Sequence, residues 1–214
     1  MRKTSFTEGE FYHIYNRGVE KRNVFLDKED YGRFMQSMEE FNTLKPIGSI
    51  YEHSFVKPKL GSFASKLPSL VSFVAFCVNP NHYHFIIRQE SGRGVEKFMQ
   101  RLGTGYTKYF NNKYKRSGVL FQGIFKAVHV DSNNYLLHLS AYVNLNNHVH
   151  RLGSEASKSS WGEYTQKKGG ICKKTLILDQ FNNTAEYKKF AEESLKDILA
   201  RKKLYKELEL SLLE

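Results

Sequence analysis

Two histidines separated by a single residue, His82 and His84, are the side chains in this sequence best suited to chemistry. They open the segment HYHFIIR, whose aromatic and β-branched residues favour a β-strand. Because successive residues of a strand point to opposite faces, both imidazoles project on one side and Tyr83 on the other. Two convergent imidazoles could share one metal ion. His-x-His pairs also arise by chance, so the tripeptide alone leaves a structural role open.

A second tripeptide of this kind, His148-Val149-His150, stands in a different setting. It falls at the end of a predicted helix, where residues two apart lie on nearly opposite sides and cannot converge on one ion. We interpret it as a helix terminus whose histidines are available at most to a phosphate.

A tyrosine and an asparagine four residues apart, Tyr142 and Asn146, complete the candidate chemistry. Both lie on a helix predicted over residues 133–147, and residues four apart share a helix face. If that face packs over the histidine strand, Asn146 is a third ligand beside His82 and His84, in an open site that suits Mg²⁺ or Mn²⁺ better than zinc. Tyr142 is then the candidate nucleophile, because a phosphotyrosyl link keeps the energy of the broken phosphodiester. With 13 tyrosines in the chain, spacing alone leaves an ordinary half-buried tyrosine as the alternative.

The charge of the chain indicates a polyanionic partner, because 33 Lys and Arg against 22 Asp and Glu give a formal charge of +11. The apolar runs are too short to span a bilayer and the N-terminus lacks a signal-peptide core, so nucleic acid in the cytoplasm is the expectation and a membrane partner is not. Cys77 and Cys172 lie far apart with no Cys-x-x-Cys motif, so the sequence supports neither a zinc knuckle nor a disulfide framework. Basic residues are concentrated between positions 91 and 128, where the predicted DNA-binding side chains are Arg93, Lys97, Arg101, Lys108, Lys113, Lys115, Arg116 and Lys126.

The elements that must position these residues follow from hydrophobic patterning. Strands are predicted at residues 10–16, 72–78, 82–88 and 125–130, and helices at 28–42, 94–113 and 133–148, with Asp27 and either Asp131 or Ser132 as N-caps. Residues 43–70 form an insertion with at most one strand near 49–56. The order β-α-β-β-α-β-α is that of a ferredoxin-like split βαβ fold, an α+β antiparallel sheet with one extra helix, which would carry Tyr142.

The chain is interpreted as a catalytic domain at residues 1–152 followed by a connector and a helical C-terminal extension at residues 153–214. Trp161 and Tyr164 could dock the connector onto the core. The charged segment 184–213 is predicted to be helical.

Four ordered segments, FYHIYNRGVEKRNVF, VNPNHYHFIIR, RSGVLFQGIFKAVHVDS and YLLHLSAYVNLNNHVHRL, resemble the REP-associated tyrosine transposases, within the single-tyrosine HUH transposases. The resemblance covers roughly residues 10–152. It implies that His82, His84 and Asn146 ligate a divalent metal ion and that Tyr142 is the nucleophile. Tyr106, Tyr109 and Tyr114 then become weaker candidates for the nucleophile.

Members of that family nick single-stranded DNA beside palindromic hairpins and join the 5′ phosphate to tyrosine. The family usually has proline after the ligand asparagine, whereas this chain has Asn147, so the resemblance does not define how the helix ends. His13, Asn16 and Arg17 lie in a matching segment. Arg17 is a predicted DNA contact, and a structural role is favoured for His13.

Three functions remain to be distinguished. The leading hypothesis is a metal-dependent transposase acting on single-stranded or hairpin DNA. The second is a metal-dependent nuclease that uses the same histidines and a water nucleophile. The third is a module that binds hairpins without cutting them. The choice between monomer and homodimer is left open.

Overall fold

A computed structural model describes residues 4–50, 68–153, 156–166 and 169–211. Most of the strand predicted near residues 49–56 lies outside the described residues. None of the described helices is long and apolar enough to cross a membrane.

The described strands form one antiparallel sheet. They are β1 (Phe11–Arg17), β2 (Val71–Asn79), β3 (His82–Gln89), β4 (Lys126–Val130) and β5 (Lys158–Ser159). Their order is β4-β1-β3-β2-β5, and every neighbouring pair runs antiparallel. The first four strands have the arrangement expected of a split βαβ fold, and the α+β prediction is confirmed.

Two helices cover one face of this sheet, α1 (Lys28–Glu40) and α2 (Gly94–Lys113). Asp27 caps α1 as predicted, because its side chain accepts a hydrogen bond from the backbone N–H of Asp30. The apolar side chains of both helices share one core with alternate residues of the strands, including Tyr83 and Phe85. Tyr83 therefore points away from its histidine neighbours, as strand alternation requires.

The opposite face of the sheet carries α3 (Asn133–Asn144) and α4 (Asn146–Val149), and a second core joins α3 to the C-terminal part of the chain. Shorter helices α5 (Trp161–Thr165) and α6 (Thr175–Leu178) precede the long α7 (Thr184–Ser211). Ser132 is the N-cap of α3. The prediction of an unbroken helix to His148 was wrong, because the helix is interrupted at Leu145, whose φ of −108° and ψ of 17° are not helical.

The C-terminal extension packs against the sheet and α3. The hydroxyl of Tyr164 donates to the carbonyl of Val74 at 2.8 Å, and Ser159 of β5 pairs with Cys77 of β2. Tyr187 of α7 is fully buried and lies 2.9 Å from the amide nitrogen of Asn144. Tyr164 thus docks the connector onto the sheet, and α7 lies beside the helix that carries Tyr142.

Candidate active site

The sheet register places the candidate histidines together on the face that α3 covers. Tyr15 of β1 lies opposite His84 of β3, and Arg17 lies opposite His82. Residues two apart on β1 and β3 share this face, so His13 joins them. The convergence of His82 and His84 expected from strand geometry is present.

The first histidine, His82, is oriented by an asparagine on each side. Its Nδ1 lies 2.6 Å from Oδ1 of Asn81, whose Nδ2 donates to the carbonyl of Lys21 at 3.1 Å. The Asn81 oxygen can only accept, so Nδ1 of His82 carries the proton and Nε2 carries the lone pair. Burial lowers the pKa of His82, the contact with Asn146 raises it, and the nearby cations lower it further. His82 is therefore a neutral imidazole with Nε2 available to a metal ion.

The second histidine, His84, is held by His13. Its Nδ1 lies 2.9 Å from Nε2 of His13, and the two rings stack at 5.1 Å. Burial lowers the pKa of His13 to about 4 and holds the pKa of His84 well below its usual range. Because Nδ1 of His84 is engaged with His13, its Nε2 is the atom left for a metal ion.

Asn146 is the first residue after the helix break at Leu145, and its side-chain amide lies next to the histidines. Its Oδ1 lies 3.0 Å from Nε2 of His82. Both atoms accept hydrogen bonds from the side-chain amide of the fully buried Asn79. Its Nδ2 lies 2.7 Å from the Asn146 oxygen and 2.9 Å from the His82 nitrogen. The hydroxyl of Ser157 donates to Oδ1 of Asn79 at 2.7 Å and so holds Asn79 in this orientation.

These atoms form a donor set that fits a divalent ion. Two neighbouring ligands of an octahedral ion, each bound at about 2.1 Å, stand about 3 Å apart, which is the separation of the Asn146 oxygen and the His82 nitrogen. The Nδ2 of Asn146 is buried and has no hydrogen-bond partner among the described residues. No group of three or more His, Cys, Asp or Glu among them is arranged to hold a metal ion. The candidate set is thus two neutral imidazoles and one amide oxygen, with no carboxylate.

Tyr142 lies against this donor set. Its ring meets His84 edge-on, with centroids 5.5 Å apart, and meets His13 at 6.2 Å. Burial raises the pKa of Tyr142, whereas the side chain of Asn146 lowers it. The phenol is protonated at neutral pH, and its attack would require the proton to leave as the bond to phosphorus forms. The structure therefore brings together the candidate nucleophile and all three candidate ligands.

A second tyrosine also touches the histidines. The ring of Tyr15 stacks on His84 with centroids 5.5 Å apart, and Nζ of Lys126 lies 5.9 Å from the Tyr15 ring. Ring distance alone does not separate Tyr15 from Tyr142, so an experiment must compare them.

Several residues of this site were not assigned to it from the sequence, among them His13, Asn79 and His150. His13 and Asn79 lie on β1 and β2, at register positions that face β3, and the ring of His150 lies 4.6 Å from that of His82. Strand alternation from His84 through the register could have indicated His13. Nothing local indicates His150, because its contact with His82 depends on how the end of α4 packs against the sheet.

The predicted DNA-binding residues separate into two groups. Arg17 and Lys126 lie on the site face of the sheet, and the guanidinium of Arg17 bonds the Gln122 side chain at 2.6 Å. The other seven lie on α2, at its N-cap or just after its last residue. They are on the opposite side of the sheet from the site, referred to below as behind the sheet: Arg93, Lys97, Arg101, Lys108, Lys113, Lys115 and Arg116.

Several of these α2 cations have protein partners. Lys113 lies 2.8 Å from Asp27 and 3.0 Å from the buried Asp30, which holds the pKa of Lys113 well above its usual range. Arg101 donates to the carbonyl of Thr43 at 2.5 Å. The remaining five have local partners or are exposed. Arg93 pairs with Glu96, Lys97 bonds the Gly92 carbonyl, Arg116 bonds Asn111, and Lys108 and Lys115 are exposed.

A groove also lies behind the sheet, between α2 and residues 118–125. Its walls include Met99, Leu120 and Phe121, and none of the site histidines lines it. It therefore does not form part of the candidate active site.

Part of the sequence and the fold are similar to known transposases. Residues 69–147 match the model of the IS200-like transposases, a range that includes His82, His84, Tyr142 and Asn146. No curated protein sequence matches the chain. Among solved structures, a REP-associated tyrosine transposase bound to a REP hairpin is similar with a TM-score of 0.52 and 14% identity, over 80% of this chain and 92% of that chain. At this identity the structural likeness establishes the fold.

Proposed function

We propose that this chain, whose residues 69–147 match the IS200-like transposases, nicks and rejoins single-stranded DNA beside a hairpin through a covalent link to Tyr142. The observation that carries the proposal is the contact between the Tyr142 ring and His84, 5.5 Å apart, on the face where Asn146 meets His82. A candidate nucleophile and a candidate metal-ligand set are thus adjacent, in a region of the sequence that matches transposases.

In the proposed reaction, His82, His84 and Asn146 hold a Mg²⁺ or Mn²⁺ ion. The bound ion supplies electrostatic stabilisation of the charge that develops on the scissile phosphate. The oxygen of Tyr142 forms a bond to phosphorus, the bond from phosphorus to the 3′ oxygen breaks, and the tyrosine proton ends on the released 3′ hydroxyl. The partly buried position of Tyr142 restricts the access of water, which protects the phosphotyrosyl link until a 3′ hydroxyl reverses the step.

The partner in this proposal is single-stranded DNA with a hairpin, in line with the hairpin bound by the similar solved transposase. On the site face, Arg17 and Lys126 are placed to contact phosphates beside the metal site. The cations of α2 lie behind the sheet, so DNA that contacts them must pass around an edge of the sheet.

A labelled hairpin with a single-stranded flank, incubated with Mn²⁺, tests the chemistry. We expect a protein–DNA adduct that survives denaturation and is lost in Tyr142→Phe. Tyr15→Phe is the decisive comparison because Tyr15 also touches His84, and Tyr135→Phe on α3 is the control; both should retain the adduct.

Other outcomes would contradict the proposal. An adduct lost only in Tyr15→Phe would identify Tyr15 of β1 as the nucleophile. Cleavage without an adduct would favour the nuclease with a water nucleophile. Binding without cleavage, unaffected by His82→Ala and His84→Ala, would favour the non-catalytic module.

A further inference from the structure

We propose that His150 and Lys202 form a phosphate subsite beside His82, which takes a backbone phosphate next to the scissile one in the single-stranded substrate. This inference rests on the proposed function. It gives the C-terminal helix α7 a direct part in substrate binding.

The subsite is built where the end of α4 meets α7. His150 follows α4, and its partly exposed ring lies 4.6 Å from the His82 ring. Lys202, on α7, donates from Nζ to the carbonyl of Val149 at 3.1 Å. A lysine 53 residues along the chain is therefore fixed next to His150 and to one of the candidate metal ligands.

The Lys and Arg side chains that act on His82 and His150 carry the same sign of charge. The charged groups that act on His82 are Arg17 and Lys202, and both lower its pKa. His82 and Lys202 act in the same way on His150, whose pKa is lowered to about 4 mainly by burial. Of the ion pairs between described side chains, none involves Arg17 or Lys202. Cations gathered without a carboxylate repel one another until an anion binds between them.

The candidate metal set increases the need for an anion. Two neutral imidazoles and an amide leave the full charge of a divalent ion uncompensated. The scissile phosphate provides one negative charge and its neighbour along the strand provides another. His150 and Lys202 lie beside His82, where that neighbouring phosphate would lie.

A purely structural role for Lys202 is the alternative that the experiment must exclude. A lysine that bonds the last carbonyl of a helix also stabilises the helix terminus. A structural lysine would affect thermal stability, but its effect on DNA binding would not depend on salt or on any particular phosphate.

The first measurement uses the full chain with Tyr142→Phe, without metal, so that binding is recorded in the absence of chemistry. Fluorescence anisotropy with the hairpin substrate is followed across a salt series. Replacing Lys202 by Met should lower affinity by roughly 5-fold to 10-fold at low salt and reduce the slope of log K against log salt by about 0.7, the value for one single-strand phosphate contact. Lys196→Met, at an exposed site on the same helix, should change neither.

The second measurement locates the phosphate. Substrates that carry a neutral methylphosphonate at one position at a time are bound to the same proteins. One position next to the scissile phosphate should weaken binding when Lys202 is present and have no further effect in Lys202→Met, and His150→Gln should reduce the effect at that same position.

An unchanged salt slope in Lys202→Met, or methylphosphonate effects that are the same with and without Lys202, would overturn the subsite. The proposed function fails separately, through the absence of a Tyr142 adduct in the wild-type chain. The binding measurements do not depend on that adduct.

Discussion

At the scale of single residues, the site depends on side-chain amides that fix one another. Asn79 donates to the Asn146 oxygen and contacts Nε2 of His82, while Ser157 holds Asn79 from behind. Without Asn79, the Asn146 amide could rotate and present its Nδ2 to the metal position. Outer partners of this kind commonly change metal affinity by 10-fold to 100-fold.

We therefore expect Asn79→Leu to weaken Mn²⁺ binding by roughly 10-fold to 100-fold, measured by electron paramagnetic resonance of free Mn²⁺ or by calorimetry. Asn112→Leu, at an exposed position of α2 behind the sheet, is the matched control and should bind as the wild type does. Equal affinity in both variants, with Asn79→Leu still folded, would show that Asn146 keeps its orientation without Asn79.

The neutral histidine pair gives the metal-free protein a pH-dependent stability. The pKa of His13 falls from 6.5 in the unfolded chain to about 4 in the folded protein because the ring is buried. Below pH 6.5 the unfolded chain binds a proton that folded His13 does not, so the free energy of unfolding decreases as the pH falls and levels off below about pH 4. The whole pKa shift of His13 corresponds to a loss of about 3 kcal/mol in the free energy of unfolding.

Urea denaturation between pH 7.5 and pH 4, with a chelator present, measures this loss. His13→Phe should have a shallower pH dependence, whereas His148→Asn, at an exposed histidine, should retain the wild-type slope. A His13→Phe protein whose stability falls as steeply as that of the wild type would assign the effect to other groups.

At the scale of elements, α2 contains two glycines in very different surroundings. A Cβ on Gly105 would lie 2.5 Å from the ring of Phe41, which is buried at the end of α1, whereas a Cβ on Gly103 would meet no atom within 4 Å. Gly105 therefore permits the close approach of α2 to the end of α1. Gly103 has no such packing role.

This difference predicts opposite effects for the same substitution. Gly103→Ala should stabilise the protein by roughly 0.5–1 kcal/mol through helix propensity. Gly105→Ala should destabilise it by about 1–2 kcal/mol, because overpacking against Phe41 outweighs that gain. Chemical denaturation of the two variants checks the signs, and a stabilising Gly105→Ala would mean that the Phe41 ring moves aside without strain.

The elements set by local sequence were the ones that could be predicted. The Asp27 and Ser132 caps, the span of α2 and the histidine strand depend on neighbouring residues, and each appears in the structure. The interruption at Leu145 was not predictable from periodicity, because both sides of it continue the same apolar pattern. Asn146 nevertheless reaches His82, since the one-residue break shifts α4 relative to α3 without turning Asn146 away from the sheet.

The parts of the site that sequence reasoning missed depend on contacts distant along the chain. Asn79 is held by a hydrogen bond from Ser157, and Lys202 bonds Val149 although the two lie 53 residues apart in the sequence. Nothing within either segment indicates such a contact. By contrast, the pair His82 and His84 could be found because a strand alone makes them converge.

At the scale of the whole molecule, the boundary placed at residue 152 separates parts that the structure packs together. Tyr187 of α7 bonds Ser140 and Asn144 of α3, and Tyr164 bonds the sheet at Val74. The interpretation of residues 153–214 as an extension still describes the order along the chain. In space, however, α7 packs against the helix that presents Tyr142, so changes in α7 should affect the site.

The net charge of +11 and the carboxylate-free ligand set together predict that metal and DNA bind cooperatively. Without DNA, the candidate site offers a divalent ion only neutral donors, near the cations Arg17 and Lys202, so we expect the ion to bind weakly. A phosphate at the same place supplies negative charge to the ion and to both cations. Each ligand therefore strengthens the binding of the other, and by linkage the two factors must be equal.

Binding experiments with the Tyr142→Phe chain test this coupling without turnover. We expect the hairpin substrate to tighten Mn²⁺ binding by roughly 10-fold or more, within the usual range of coupling energies, and Mn²⁺ to tighten hairpin binding by the same factor. In His84→Ala, which removes a proposed metal ligand but no cation, the DNA should still bind through its phosphates while the coupling disappears. Tight Mn²⁺ binding that is indifferent to DNA would require a carboxylate ligand and would overturn the neutral set of His82, His84 and Asn146.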